Sequence, residues 1–112
     1  MSGSSSTIVE RHGWRVEIRR DEPRKRPQWE VRCEIYRGRE GERQRERRGH
    51  RFYVSPELAN ETGLDGMPSA RRRELLWLAA KRIVMRELDE IFSEPEGGLD
   101  AVRPIQAADL RP

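Results

Sequence analysis

The chain has 112 residues, enough for one domain and too few for two comfortable ones. Charged residues make up 38% of it, yet the formal net charge is only +3, so the distribution of charge says more than its sum. A single cysteine, Cys33, excludes an internal disulfide and a cysteine-based zinc site. No apolar run is long enough to serve as a secretory signal or to span a bilayer. The cytoplasm is therefore the expected compartment.

The N-terminal stretch Met1–Thr7 is rich in Gly and Ser and lacks an apolar anchor, so residues 1–7 read as a flexible leader or a cloning remnant. Trp14, Val16 and Ile18 then alternate with Arg15, Glu17 and Arg19, the period of a half-buried strand. His12-Gly13 is a candidate turn inside Ile8–Arg19, which holds one strand or, if the chain reverses there, two. Asp21–Pro27 carries two prolines and is a connection. Trp29, Val31, Cys33 and Ile35 alternate with Glu30, Arg32, Glu34 and Tyr36, which is the clearest strand. The run Arg37–Gly49 has no apolar residue. It is either a long charged loop or two strand ends projecting past the core. His50–Val54 follows as a strand with Phe52 and Val54 inward, and the short spacing favours antiparallel pairing.

Ser55-Pro56 has the chemistry of a helix start, a capping hydroxyl before a proline at the first helical position. Gly63 ends that short piece, and Leu58 and Leu64 pin it to the core. A long helix is predicted from Ser69 to Phe92, because Leu76, Trp77, Ala80, Ile83, Val84, Leu88 and Ile91 fall on one stripe. From Ser93 the period is lost and Pro95, Gly97, Gly98 and Pro104 intervene, so residues 93–112 are expected to be a flexible acidic tail. The expected architecture is one α+β domain over residues 8–92. It has a three-stranded antiparallel sheet, four-stranded if His12-Gly13 turns the chain, packed against one long C-terminal helix in the order β-β-β-(short α)-α.

Charge is asymmetric along the chain. Residues 1–50 carry fourteen Arg and Lys against nine Asp and Glu, and residues 51–112 carry nine against eleven. Two arginine groups are candidates for binding anions. Arg71, Arg72 and Arg73 sit in the first turn of the long helix, where the dipole favours acids, and beside free N–H groups they could hold phosphate or carboxylate. The run Arg37–Arg48 contains Arg43, Arg45, Arg47 and Arg48, but Glu40, Glu42 and Glu46 interrupt it and it has no aromatic residue to stack bases. Leu75, Leu78 and Met85 lie off the helical stripe and are candidates for self-association. His12 and His50 are the only histidines, too few for a metal site without further ligands. Cys33 points inward and reads as a buried structural thiol.

Three antiparallel strands followed by a helix that opens on Ser69 and Arg71, Arg72 and Arg73, then Ala79-Ala80, resembles the C-terminal two-thirds of a double-stranded RNA-binding domain. The resemblance implies a basic cluster at the helix N-terminus that grips phosphates across a groove. It is one of topology: the preceding helix of that fold has no counterpart here, the Ala-Ala pair is displaced, and Trp77 replaces a small residue. The function expected from the residues is a small non-enzymatic interaction module that binds another protein or its own copy. The alternative is nucleic-acid binding, to double-stranded RNA or DNA, through Arg71–Arg73 and the Arg37–Arg48 loop. No catalytic residue, metal, cofactor or membrane partner is expected.

Overall fold

Alternation of apolar and charged residues sets up a sheet with one dry and one wet face. The computed structural model describes residues 6–21, 29–39, 41–42, 45–93 and 101–111. Within them, strands β1 (Ser6–Arg11), β2 (Trp14–Asp21), β3 (Glu30–Gly38) and β4 (Glu46–Tyr53) form an antiparallel meander. A short β5 (Ala101–Pro104) joins parallel to β4, giving the order β1-β2-β3-β4-β5. Val16, Ile18, Val31, Cys33, Ile35, Phe52 and Val54 line the dry face and are all buried.

Ile8–Arg19 holds two strands. His12 (φ 54°) and Gly13 (φ 80°) make a two-residue reversal between the paired Arg11 and Trp14. Positive φ at both central residues is the geometry that twists with the flanking strands, and glycine adopts it without strain. The charged run Arg37–Gly49 is two strand ends, with β3 reaching Gly38 and β4 starting at Glu46.

Helix α1 (Pro56–Glu61) starts as its sequence indicates, with the Ser55 hydroxyl accepting a hydrogen bond from the Leu58 amide at 3.2 Å. A 3-10 turn, Leu64–Gly66, buries Leu64. The main helix α2 (Ser69–Arg86) lays Leu76, Trp77, Ala79, Ala80, Ile83 and Val84 on the sheet.

The structure corrects two expectations. First, the long helix ends at Arg86. Glu87 leaves helical geometry (φ −109°, ψ 22°), and α3 (Leu88–Ser93) continues after the bend. Glu87 accepts hydrogen-bonded charge from Arg103 of β5 at 3.0 Å, which ties the bend to the sheet edge. Leu88, Ile91 and Phe92 remain buried, so the apolar stripe persists while its axis turns. Second, the sheet has five strands of mixed direction, because the segment expected as a tail contributes β5 and a 3-10 turn at Ala107–Leu110. A parallel neighbour for β4 needs a crossover, and α1 to α3 supply it. Ile105 is 2% exposed, and Asp109 is buried with its carboxylate on Arg86 (3.0 Å) and on the Gln106 amide (2.9 Å). Ser6 and Thr7, expected in the leader, belong to β1, while residues 1–5 of the leader, 22–27 of the connection, and 94–100 and 112 of the tail lie outside the described residues.

Docking of residues 101–111 is a stability statement. Ile105→Ala should cost about 2–5 kcal/mol, the usual range for emptying a buried aliphatic site. A lower urea midpoint with an unchanged m-value is the expected result, whereas an unaltered midpoint would show that this segment is not part of the folded core.

Candidate interaction surface

The helices cover one face of the sheet, which leaves the other face open. That open face carries Arg15, Glu17, Arg19 and Asp21 from β2, Glu30, Arg32, Glu34 and Tyr36 from β3, and Arg47, Arg51 and Tyr53 from β4. Its charges pair across and along strands. Glu17 accepts from Arg19 (3.0 Å) and Arg45 (2.9 Å), Glu34 accepts from Arg47 and from the Tyr36 hydroxyl, and Arg32 and Arg51 approach Asp21 (3.8 Å) and Glu30 (4.0 Å). Tyr36 lies between the guanidinium groups of Arg19 (5.1 Å) and Arg45 (4.7 Å). Arg45 reaches this position by crossing directly over Gly38, where an added Cβ would come within 2.9 Å of its Cγ. Burial works to raise the Glu17 carboxyl, but the bonds and charge of Arg19 and Arg45 outweigh it and hold the group below the ordinary range. Arg47 holds Glu34 low in the same way, with the Tyr36 hydroxyl assisting.

Three arginines turn inward at the rim of the dry face. Arg37 stacks over Trp14 (4.4 Å) and Phe92 (4.5 Å) and pairs with Glu46 at 2.7 Å. Arg48 is buried under Phe92 and reaches Glu46 at 3.4 Å. Arg20 pairs with Glu74 of α2 at 2.9 Å, beside the Trp77 ring.

The arginine groups singled out from sequence do not form one surface. Arg72 stacks over Trp29 at 4.8 Å, and Glu74 holds Arg20, so the N-terminus of α2 lies at the β2–β3 end of the sheet. Arg71 and Arg73 are exposed there. Arg45, Arg47 and Arg48 lie toward the other end, where the β3–β4 loop and the β1–β2 turn meet α3. A strand of this length separates the two groups by roughly 25 Å. Arg43 lies outside the described residues.

Leu75, Leu78 and Met85 of α2 differ in exposure. Leu75 is half-buried in a cleft of about 380 Å3 together with Leu64, Met67 and Leu110. Met85 packs against the core, and its carbonyl accepts from Arg11 at 3.3 Å. Leu78 alone is exposed, at 41%.

The histidines are far apart, His12 in the exposed β1–β2 turn and His50 buried on β4. His50 is instead the cross-strand neighbour of Cys33, a pairing that invites comparison with a thiolate–imidazole couple. Burial pushes the Cys33 thiol up to about 12, so it stays protonated, the opposite of what a nucleophile needs. Among the described residues no group of three or more His, Cys, Asp or Glu could hold a metal ion, and no helix is long and apolar enough to cross a membrane.

Sequence reasoning did not single out the free edge of β1. Among the described residues this terminal strand has a neighbour only in β2, and it carries Ile8, 50% exposed on the open face. The available signal was the β-branched pair Ile8-Val9 before a turn.

The paired glutamates set a pH dependence. A carboxyl with a lowered native pKa contributes stability that is complete above its unfolded value, about 4.3 for Glu, and disappears as pH falls through the native value. The urea midpoint should therefore drop on acidification below about pH 4.3. Glu34→Gln should flatten that drop, and an equally steep profile in the variant would remove Glu34 from the account.

Comparison with known proteins finds no matching family model, no similar curated protein and no similar solved structure, so the functional reading rests on this geometry.

Proposed function

We propose that this domain is a non-enzymatic interaction module that associates with a second copy of itself, and that its arginines act mainly within its own fold. The observation that carries this reading is the disposition of charge. On the open face the glutamates of β2 and β3 and Asp21 each lie against an arginine, and the inward arginines lie on aromatic rings or on Glu46 and Glu74. A surface neutralised in this way offers a polyanion little gain from counterion release, because each phosphate would have to displace a carboxylate already in place. Among the exposed features that such pairing does not involve are apolar ones, Ile8 on β1, Val102 on β5 and Leu78 on α2, and the outer backbone groups of β1.

Nucleic-acid binding is the competing reading, and Arg71 and Arg73 at the start of α2 are its best residues. Their distance from Arg45, Arg47 and Arg48 divides the cationic surface that a groove-spanning contact would use.

Light scattering coupled to gel filtration separates the two readings. The expected result is a mass of two chains at both low and high salt, since apolar and backbone contacts are not screened. Titration of labelled duplex RNA, duplex DNA and single strands at low salt should show no saturable binding. A monomer at every concentration overturns the self-association reading. Salt-sensitive binding that disappears in Arg71→Glu/Arg73→Glu would establish the competing one.

A further inference from the structure

We infer that two copies join through β1, pairing antiparallel about Ile8 to merge two five-stranded sheets into one. This rests on the self-association reading above and specifies its contact.

The two-residue turn fixes which backbone groups of β1 face outward. In such a hairpin the closing pair, Arg11 and Trp14, exchanges both backbone hydrogen bonds, and the pattern alternates away from it. Arg11, Val9 and Thr7 therefore direct their N–H and C=O groups at β2. Ser6, Ile8 and Glu10 direct theirs away from the sheet. Among the described residues no backbone hydrogen bond reaches that outer edge.

A second β1 can use those groups only if outward residues face outward residues. Three antiparallel registers keep that parity and join more than one outward pair within the described strand: Ser6 against Ile8, Ile8 against Ile8, or Ile8 against Glu10 of the other copy. Only the middle one engages all the outward residues, through Ser6 with Glu10, Ile8 with itself and Glu10 with Ser6. That makes three hydrogen-bonded pairs, about six backbone bonds. It also places the two Ile8 side chains together on the two-fold axis, covering the apolar group that is half exposed in one chain. Thr7 then faces Val9 on the inner side, and no like charges stand directly opposite. The register ending Ile8 against Glu10 sets an isoleucine beside a carboxylate.

The other edge also exposes an apolar side chain, Val102 at 55%, but does not offer the same run of backbone groups. β5 is four residues long and ends on Pro104, which has no N–H to donate. Joining β1 to β5 would also be head-to-tail and would propagate, whereas β1 with β1 closes with two-fold symmetry.

Cysteine cross-linking of the full chain tests the register. Directly opposite residues have Cα atoms about 5.5 Å apart, within disulfide range. Ile8→Cys should cross-link to itself under mild oxidation. Glu10→Cys alone should not, because in this register the two positions are four residues out of line, about 13 Å apart. A mixture of Ser6→Cys and Glu10→Cys chains should form the mixed disulfide. Buried Cys33 should leave the unmodified chain uncross-linked. As a second readout, Ile8→Lys places like charges on the axis and should raise the dimer dissociation constant about tenfold or more, with an unchanged circular dichroism spectrum. A dimer by light scattering that neither cross-links through Ile8→Cys nor weakens in Ile8→Lys overturns the strand pairing and leaves self-association standing. A monomer by light scattering overturns both.

Discussion

Arginine held by the chain's own carboxylates and rings is the constraint on which the rest of this molecule depends. Twenty-one of the 112 residues are arginine, and an open sheet face studded with them would repel itself if the acids were placed elsewhere. Glu17 and Glu34 sit on adjacent central strands and engage Arg19, Arg45 and Arg47, with Tyr36 stacked between Arg19 and Arg45. Each exposed contact is individually weak. Collectively they make one face of the sheet stable in water without a covering layer, so that α2 need cover only the other.

The same constraint explains the charged strand ends. Arg37–Gly49 has no apolar residue, and on hydrophobic pattern alone it has no reason to be sheet. It extends the ladder because Arg37 and Arg48 find Phe92 and Glu46 on the inner side, while Arg45 and Arg47 find Glu17 and Glu34 on the outer. An arginine of this kind acts as a planar apolar surface with a charged margin. Phe92, which receives both Arg37 and Arg48, belongs to α3 beyond the break at Glu87.

What the sequence made legible follows from short-range rules. Alternation assigned the faces of β2 and β3 from Arg15 to Arg19 and from Glu30 to Tyr36, but not Asp21 at the end of β2 or Arg47 at the start of β4. Ser55-Pro56 marked the start of α1, and the 3.6-residue stripe chose the buried side of α2. What it hid depends on distant partners. The break at Glu87 involves neither glycine nor proline, and there Glu87 pairs with Arg103 sixteen residues on. The strand Ala101–Pro104 is too short to show a period, and Asp109 became buried because Arg86, on another element, was there to pair with it. The candidate arginines were judged by proximity in sequence, but a meander sends successive loops to opposite ends. Arg71–Arg73 and Arg45–Arg48 thus lie about a strand's length apart, with β4 and α1 between them in the chain.

The two edges of the sheet differ in a way that charge pairing accounts for. An edge strand is usually protected by being short, by proline, or by charge at its centre. β5 has the first two protections. β1 has charge only at its end, in Glu10 and Arg11, and places a β-branched residue, Ile8, at the middle of its outward row, opposite Glu17 on β2. Glu17 is already engaged by Arg19 and Arg45 and draws no cation toward Ile8. Val102 on β5 is also exposed on this face, but it sits on the edge that shortness and Pro104 already protect, whereas Ile8 sits on an edge with neither protection. The network that satisfies the open face thus stops one strand short of this edge, and a second copy of the same strand is the simplest structure that completes it.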